Sequence, residues 1–129
     1  SSVSIYYLPR KMKIPKNKLK LYTSLQKLKP DVLSDVIQHL DDNSIDDICE
    51  CVYNVIHTDL SLSPRAKQKL RKHLKQKCSR KNIKIITTKK VPVSKRRKAL
   101  SQEGTGIGLI LGTVIPYLAK LIYDRVNAK

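Results

Sequence analysis

Sixteen lysines and arginines stand between Pro64 and Lys98, with no carboxylate among them. Cations this dense repel one another unless a polyanion neutralises them. The side chains available to phosphate fall into three groups. Lys67, Lys69, Arg71, Lys72 and Lys75 come first, then Arg80, Lys81 and Lys84, then Lys89, Lys90, Lys95, Arg96, Arg97 and Lys98. At one unit charge per ~1.7 Å of duplex, the whole stretch matches roughly eight base pairs. Lysines outnumber arginines eleven to five in it, which suits charge neutralisation better than bidentate reading of bases. No zinc-finger, basic-zipper or single-strand-binding pattern is present, and few aromatics are available for stacking. The expected chemistry is therefore backbone contact without sequence readout. Lys95-Arg96-Arg97-Lys98 also fits a short nuclear-import pattern.

Other reactive side chains point to no reaction. Cys49, Cys51, Cys78, His57 and His73 are the residue types that hold zinc, but Cys49 and Cys51 face different sides of a helix, and structural zinc pairs are spaced more widely. Buried, reduced cysteines are expected, with no metal and no cofactor. Three cysteines make an odd number, and no signal-peptide pattern opens the chain, so a reducing compartment is expected. Asp41, Asp42, Asp46 and Asp47 read as helix capping and charge balance, and the histidines have no nucleophile partner. No enzymatic activity is expected.

A second interacting segment follows the basic one. Gly106 to Ala119 carries no charge over fourteen residues, and the apolar run reaches Tyr123 if Lys120 snorkels. A spanning helix needs about 20 residues, and Pro116 is expected to kink this one at Ile115. Gly104, Gly108 and Gly112 form two overlapping G-x-x-x-G patterns, a spacing that lets helices approach closely. Gly104, Gly108, Leu109, Leu111, Gly112, Ile115 and Leu118 are the residues expected to dock on a membrane or a protein partner. Gly104-x-Gly106-x-Gly108 lacks the spacing of a nucleotide-binding loop.

The elements that position these residues are helical. The chain has 129 residues, a net charge of +17 and 40% hydrophobic residues, with no Trp and no Phe, so its core must be aliphatic. Eight of the ten carboxylates lie between Asp31 and Asp59, where there is no Lys or Arg. This predicts an acidic helical layer packed beside basic helices. The expected fold is all-α: a small bundle of about four short helices with a basic tail and a C-terminal apolar helix. Residues 1–17 form a flexible N-terminal segment, 18–78 the bundle, 79–103 a basic linker or tail, and 104–129 the Gly-rich apolar helix. Met12, at the head of the first lysine-rich run, is either the natural start or follows an ordinary flexible terminus.

Apolar spacing predicts helices over Lys18–Lys29, Asp31–Leu40, Ile45–His57 and Pro64 to about Lys77. Asn43 or Ser44 should cap the third, and Ser63 the fourth, with Pro64 at its first position. Asn82–Thr88 reads equally as a helix or a strand. Ser94 should cap a last basic turn. Asp41 to Glu50 is expected to balance part of the charge from Pro64 to Lys77, leaving Arg80 to Lys98 as the freer cations and the main polyanion contact.

Four runs in this order carry a family likeness: Ile45-Asp-Asp-Ile-Cys-Glu-Cys-Val-Tyr-Asn-Val-Ile, Leu70-Arg-Lys-His-Leu-Lys, Lys89-Lys-Val-Pro-Val-Ser-Lys-Arg-Arg-Lys-Ala-Leu and the Gly-rich apolar segment. Over roughly residues 18 to 122 the chain resembles the small basic proteins of Maverick/Polinton elements and adintoviruses, which have been compared with adenovirus core protein X. The resemblance implies a virion core protein that condenses packaged double-stranded DNA, located in the virion core and the host nucleus. Adenovirus protein X is arginine-rich where this chain is lysine-rich, and Gln102 stands where that family's maturation cleavage pattern has Met, Ile or Leu. The alternative function is a membrane-active or membrane-anchored basic protein that uses residues 104–123. A further reading has that segment docked on the capsid interior, and self-association is compatible with either.

Overall fold

The computed structural model describes residues 16–57, 62–75, 77–102 and 106–127. These form seven α-helices preceded by one 3-10 turn, Lys16–Lys18, with no strand among the described residues. The helices are α1 (Leu19–Leu25), α2 (Pro30–Ile37), α3 (Asp42–His57), α4 (Pro64–Leu74), α5 (Lys77–Thr87), α6 (Val93–Ser101) and α7 (Ile107–Asn127). The all-α class is as expected, but seven helices replace about four. The difference arises in residues 79–103. The stretch read as a basic linker or tail folds into most of α5 and all of α6, and both pack into the core.

Local signals explain most of the helix ends. Pro30 starts α2 at its first turn, after an extended Lys29, because a missing N–H costs nothing there. The Ser63 side chain accepts a hydrogen bond from Ala66 N–H at 3.2 Å and caps α4. α3 begins earlier than Asn43 or Ser44 would set it. Asp41 caps it: its carbonyl accepts from Ile45 N–H at 3.1 Å and its carboxylate from the Ser44 hydroxyl. The undecided stretch Asn82–Thr88 is helical through Thr87. Its Ile83 and Ile86 are buried three residues apart, a helical period that two β-branched residues in a row (Ile85, Ile86) had obscured. Ser94 lies inside α6, which starts after Pro92 rather than at a serine cap.

α5 and α6 form a hairpin. The Asn82 side-chain amide donates to Ala99 O at 3.3 Å and to Gln102 Oε1 at 3.2 Å, closing its open end. The Ser34 hydroxyl donates to Ser101 O and ties α2 to the same end. Gly106 adopts φ 82°, a left-handed conformation that side chains with a Cβ rarely accept, and turns the chain into α7.

α7 lies at the centre and packs against every other helix. Its buried residues are Ile107, Ile110, Leu111, Val114, Ile115, Leu118, Ala119 and Ile122. They recur at intervals of three and one, a continuous apolar stripe along one face. Helix runs unbroken through Pro116. Proline has no N–H to offer the Gly112 carbonyl, and Gly112 is exposed with open space around its α-carbon, so water reaches that carbonyl. The core is aliphatic apart from Cys49, Cys51 and Tyr22, and the Tyr22 hydroxyl donates to Asp47 Oδ2 at 2.9 Å.

The stripe predicts a contrast along one helix. Leu118 is fully buried and Leu109 is 52% exposed. In urea denaturation, Leu118→Ala should cost about 2–5 kcal/mol and Leu109→Ala less than about 0.5 kcal/mol.

Candidate nucleic-acid interface

The acidic layer sits on α3, and its partners come from an unexpected part of the chain. Asp42, Asp46 and Glu50 are spaced four apart on one face of α3. Arg97 Nη2 donates to Asp42 Oδ1 at 2.6 Å, Arg96 Nη2 to Asp46 Oδ1 at 2.8 Å, and Lys89 Nζ lies 3.8 Å from Glu50 Oε1. At the start of the helix, Lys18 Nζ donates to Asp41 Oδ2 at 2.9 Å and to Ser44 Oγ at 2.8 Å. The internal balance thus runs opposite to expectation. Among the described residues, Asp41 pairs with the N-terminal turn and the carboxylates of α3 pair with the later basic half.

Arg96 and Arg97 are structural. Arg96 is buried, and its Nε also donates to Val91 O at 3.1 Å. Burial pushes the neighbouring Cys49 thiol up to about 12, with Arg96 opposing the shift, and burial likewise takes Cys51 to about 12. Both thiols are free and protonated at neutral pH. Arg97 Nη1 donates to the carbonyls of Ile37 and Leu40, at 3.2 Å for Ile37, and so satisfies the C-terminal end of α2 while pairing with the first turn of α3. A guanidinium suits this role because its flat fork reaches several acceptors at once. Both guanidiniums, expected among the phosphate contacts, are thus engaged inside the fold, Arg96 buried and Arg97 half-buried.

The remaining cations face outward. On α4, Lys69, Arg71, Lys72 and Lys75 are exposed, opposite the buried Leu70. On α5, Arg80, Lys81 and Lys84 are exposed, opposite Ile83 and Ile86. The two helices pack together, and these seven cations are exposed along them. Among the described residues none of them has a carboxylate partner. Lys67 is half-buried and has interactions of its own. Lys90, Lys95 and Lys98 are exposed around the α5–α6 turn and along α6. Arg65, absent from the expected set, is exposed beside Lys69 at the start of α4. The i, i+4 spacing from Lys69 was the signal that would have included it.

The residues expected to meet a membrane or partner divide. Leu111, Ile115 and Leu118 are buried under this chain's own helices, because the short helices need their stripe. Gly108 is half-buried, and a Cβ there would sit 3.4 Å from that of Pro30. Leu109 and Gly112 are exposed. Gly104 lies outside the described residues, as does residues 1–15, the bulk of the expected flexible segment. Among the described residues no three His, Cys, Asp or Glu side chains gather as a metal site would require.

No family model, curated protein or solved structure matches the chain.

Two predictions separate inward from outward cations and test the α3 cap. Arg96→Ala should lower stability by about 1.5–3 kcal/mol, the worth of a charged hydrogen bond, whereas Lys72→Ala should change it by less than about 0.5 kcal/mol in the same urea assay. The Ser44 hydroxyl first, then Lys18, holds the Asp41 carboxyl down at about 2. A carboxylate depressed in the folded state adds stability that is complete above its ordinary range near 4 and fades as pH falls towards 2. Thermal melts should therefore show part of the acid destabilisation of the wild type between pH 4 and 2 missing from Asp41→Asn, which keeps a capping side chain but has no charge to lose.

Proposed function

We propose that this chain is a virion core protein that binds and condenses double-stranded DNA through non-specific phosphate contacts, acting in the virion core and the host nucleus. The observation that carries the reading is the pair of packed helices α4 and α5, along which seven exposed cations stand with no carboxylate partner among the described residues. Exposed like charges held this close by a fold raise its energy, and a polyanion relieves that cost. Five of the seven are lysines, which contact phosphate as point charges. The likeness to the small basic proteins of Maverick/Polinton elements and adintoviruses supports the virion setting.

The membrane reading has one observation in its favour. α7 has 21 residues and a mean hydropathy of 1.4 over its most apolar part, enough by length and composition to cross a bilayer. A buried core helix has the same properties, and the stripe of α7 is already covered. Entering a bilayer would require the other helices to leave it. The DNA reading needs no such rearrangement and is preferred.

The test is a salt titration of duplex binding. Seven phosphate contacts predict that affinity falls by about 10³–10⁵ between 50 and 200 mM salt, equally for unrelated sequences. Replacing Lys72 and Lys84 together with Ala should make the log–log slope shallower by about 2. Absence of binding at low salt would overturn the proposal. Leakage of anionic-lipid vesicles at matched protein concentration, without duplex binding, would favour the membrane reading.

A further inference from the structure

The outer side of α4 continues into a cleft against α7. A cavity of about 350 Å³ opens between the first turns of α4 and the middle of α7, at the small end of the range for sites that hold a ligand group. Arg65 and Lys69 line it from α4, and Lys120 from α7. Thr113 and Tyr117, each with a hydroxyl, line the same space together with Gly112 and Pro116. Among the described residues no carboxylate lines it. Burial raises the Tyr117 hydroxyl above its usual range, so it stays protonated and able to donate.

Three cationic residues from two helices about fifty residues apart in the chain thus line one concave space, with hydroxyl-bearing residues and no carboxylate among its described lining. Open cavity, positive rim and hydroxyl donors together describe a seat for a tetrahedral oxyanion. Gly112 lines the cleft and a Cβ there would meet nothing within 4 Å, so a larger side chain has room to project from the wall.

We infer that this α4–α7 cleft seats a backbone phosphate of the bound duplex, with Arg65, Lys69 and Lys120 as its cations and Thr113 and Tyr117 as donors. The inference rests on the DNA-binding reading and extends it. The contact surface is not a diffuse coat alone. It has one fixed point, supplied partly by the apolar C-terminal helix, and Lys120 belongs to the interface although it lies outside the basic stretch.

A neutral block distinguishes a seat from a general electrostatic field. Gly112→Leu fills the cleft without changing charge, and Lys120→Ala and Lys120→Arg remove or keep its cation. Full-length wild type, these variants and Lys72→Ala are compared by salt titration of duplex binding, with thermal melts to verify folding. Gly112→Leu and Lys120→Ala are each expected to make the slope shallower by about 1, with Lys120→Arg close to wild type. If Lys72→Ala weakens binding while folded Gly112→Leu binds as tightly and as steeply as wild type, the seat is overturned and the DNA-binding reading stands. If wild type binds no duplex at low salt, that reading falls and the seat falls with it. If Gly112→Leu proves unfolded, Thr113→Leu serves as the block, with the same two outcomes deciding.

Discussion

The apolar stripe of α7 is the surface on which every other helix depends. α1, α2 and α6 have seven, eight and nine residues, and α4 and α5 have eleven. Helices this short do not persist alone in water, since the cost of starting a helix is not recovered over so few residues. Each is held by the face it buries, and α7 contacts all six. The glycine and proline in this helix follow from the same demand. Gly108 admits α2 at Pro30, while Pro116 removes a hydrogen bond on a side where Gly112 leaves the carbonyl to solvent. The stripe itself carries only aliphatic residues.

With the core fixed in this way, charge decides which surfaces are left over. Net charge is +17, so self-repulsion opposes compaction everywhere. The chain lowers that cost in one place, along α3, where Asp42, Asp46 and Glu50 meet Arg97, Arg96 and Lys89. These contacts hold the α5–α6 hairpin against the rest. Among the described residues Lys69, Arg71, Lys72, Lys75, Arg80, Lys81 and Lys84 receive no such compensation. A ligand that supplied negative charge there would stabilise the folded chain by mass action, in proportion to how much better it bound the folded chain than the unfolded one.

How much of this could be read in the sequence differs by element. Ser63-Pro64 named the start of α4, Pro30 the start of α2, and the apolar spacing of Ile45, Ile48, Val52 and Val55 the body of α3. Each is a local signal within one or two turns. The α5–α6 hairpin was not legible, because its residues are as basic as a solvated tail and α6 has almost no apolar face. What orders it lies fifty residues away, in the carboxylates of α3. The same distance hid the roles of Arg96 and Arg97. In a run of four cations nothing local distinguishes the two that turn inward from Lys95 and Lys98, which stay exposed. The centrality of α7 was hidden for another reason. Its composition suits a membrane, a partner or its own core equally, and only the short helices around it, each with a face to bury, decide among them.

The inward and outward cations differ in kind as well as in place. The two that are drawn inside α6 are arginines, whose forked donors satisfy a carboxylate and backbone carbonyls at once. The exposed set is mainly lysine, a compact and strongly hydrated charge that neutralises phosphate without demanding a fixed orientation. With the forked donors of α6 spent on the fold, few groups remain that could read a base edge bidentately. Counting cations along the chain would assign all sixteen to the ligand. Their division places two of the five arginines of the basic stretch in the protein's own architecture and leaves Arg65, Arg71 and Arg80 among the lysines on the surface.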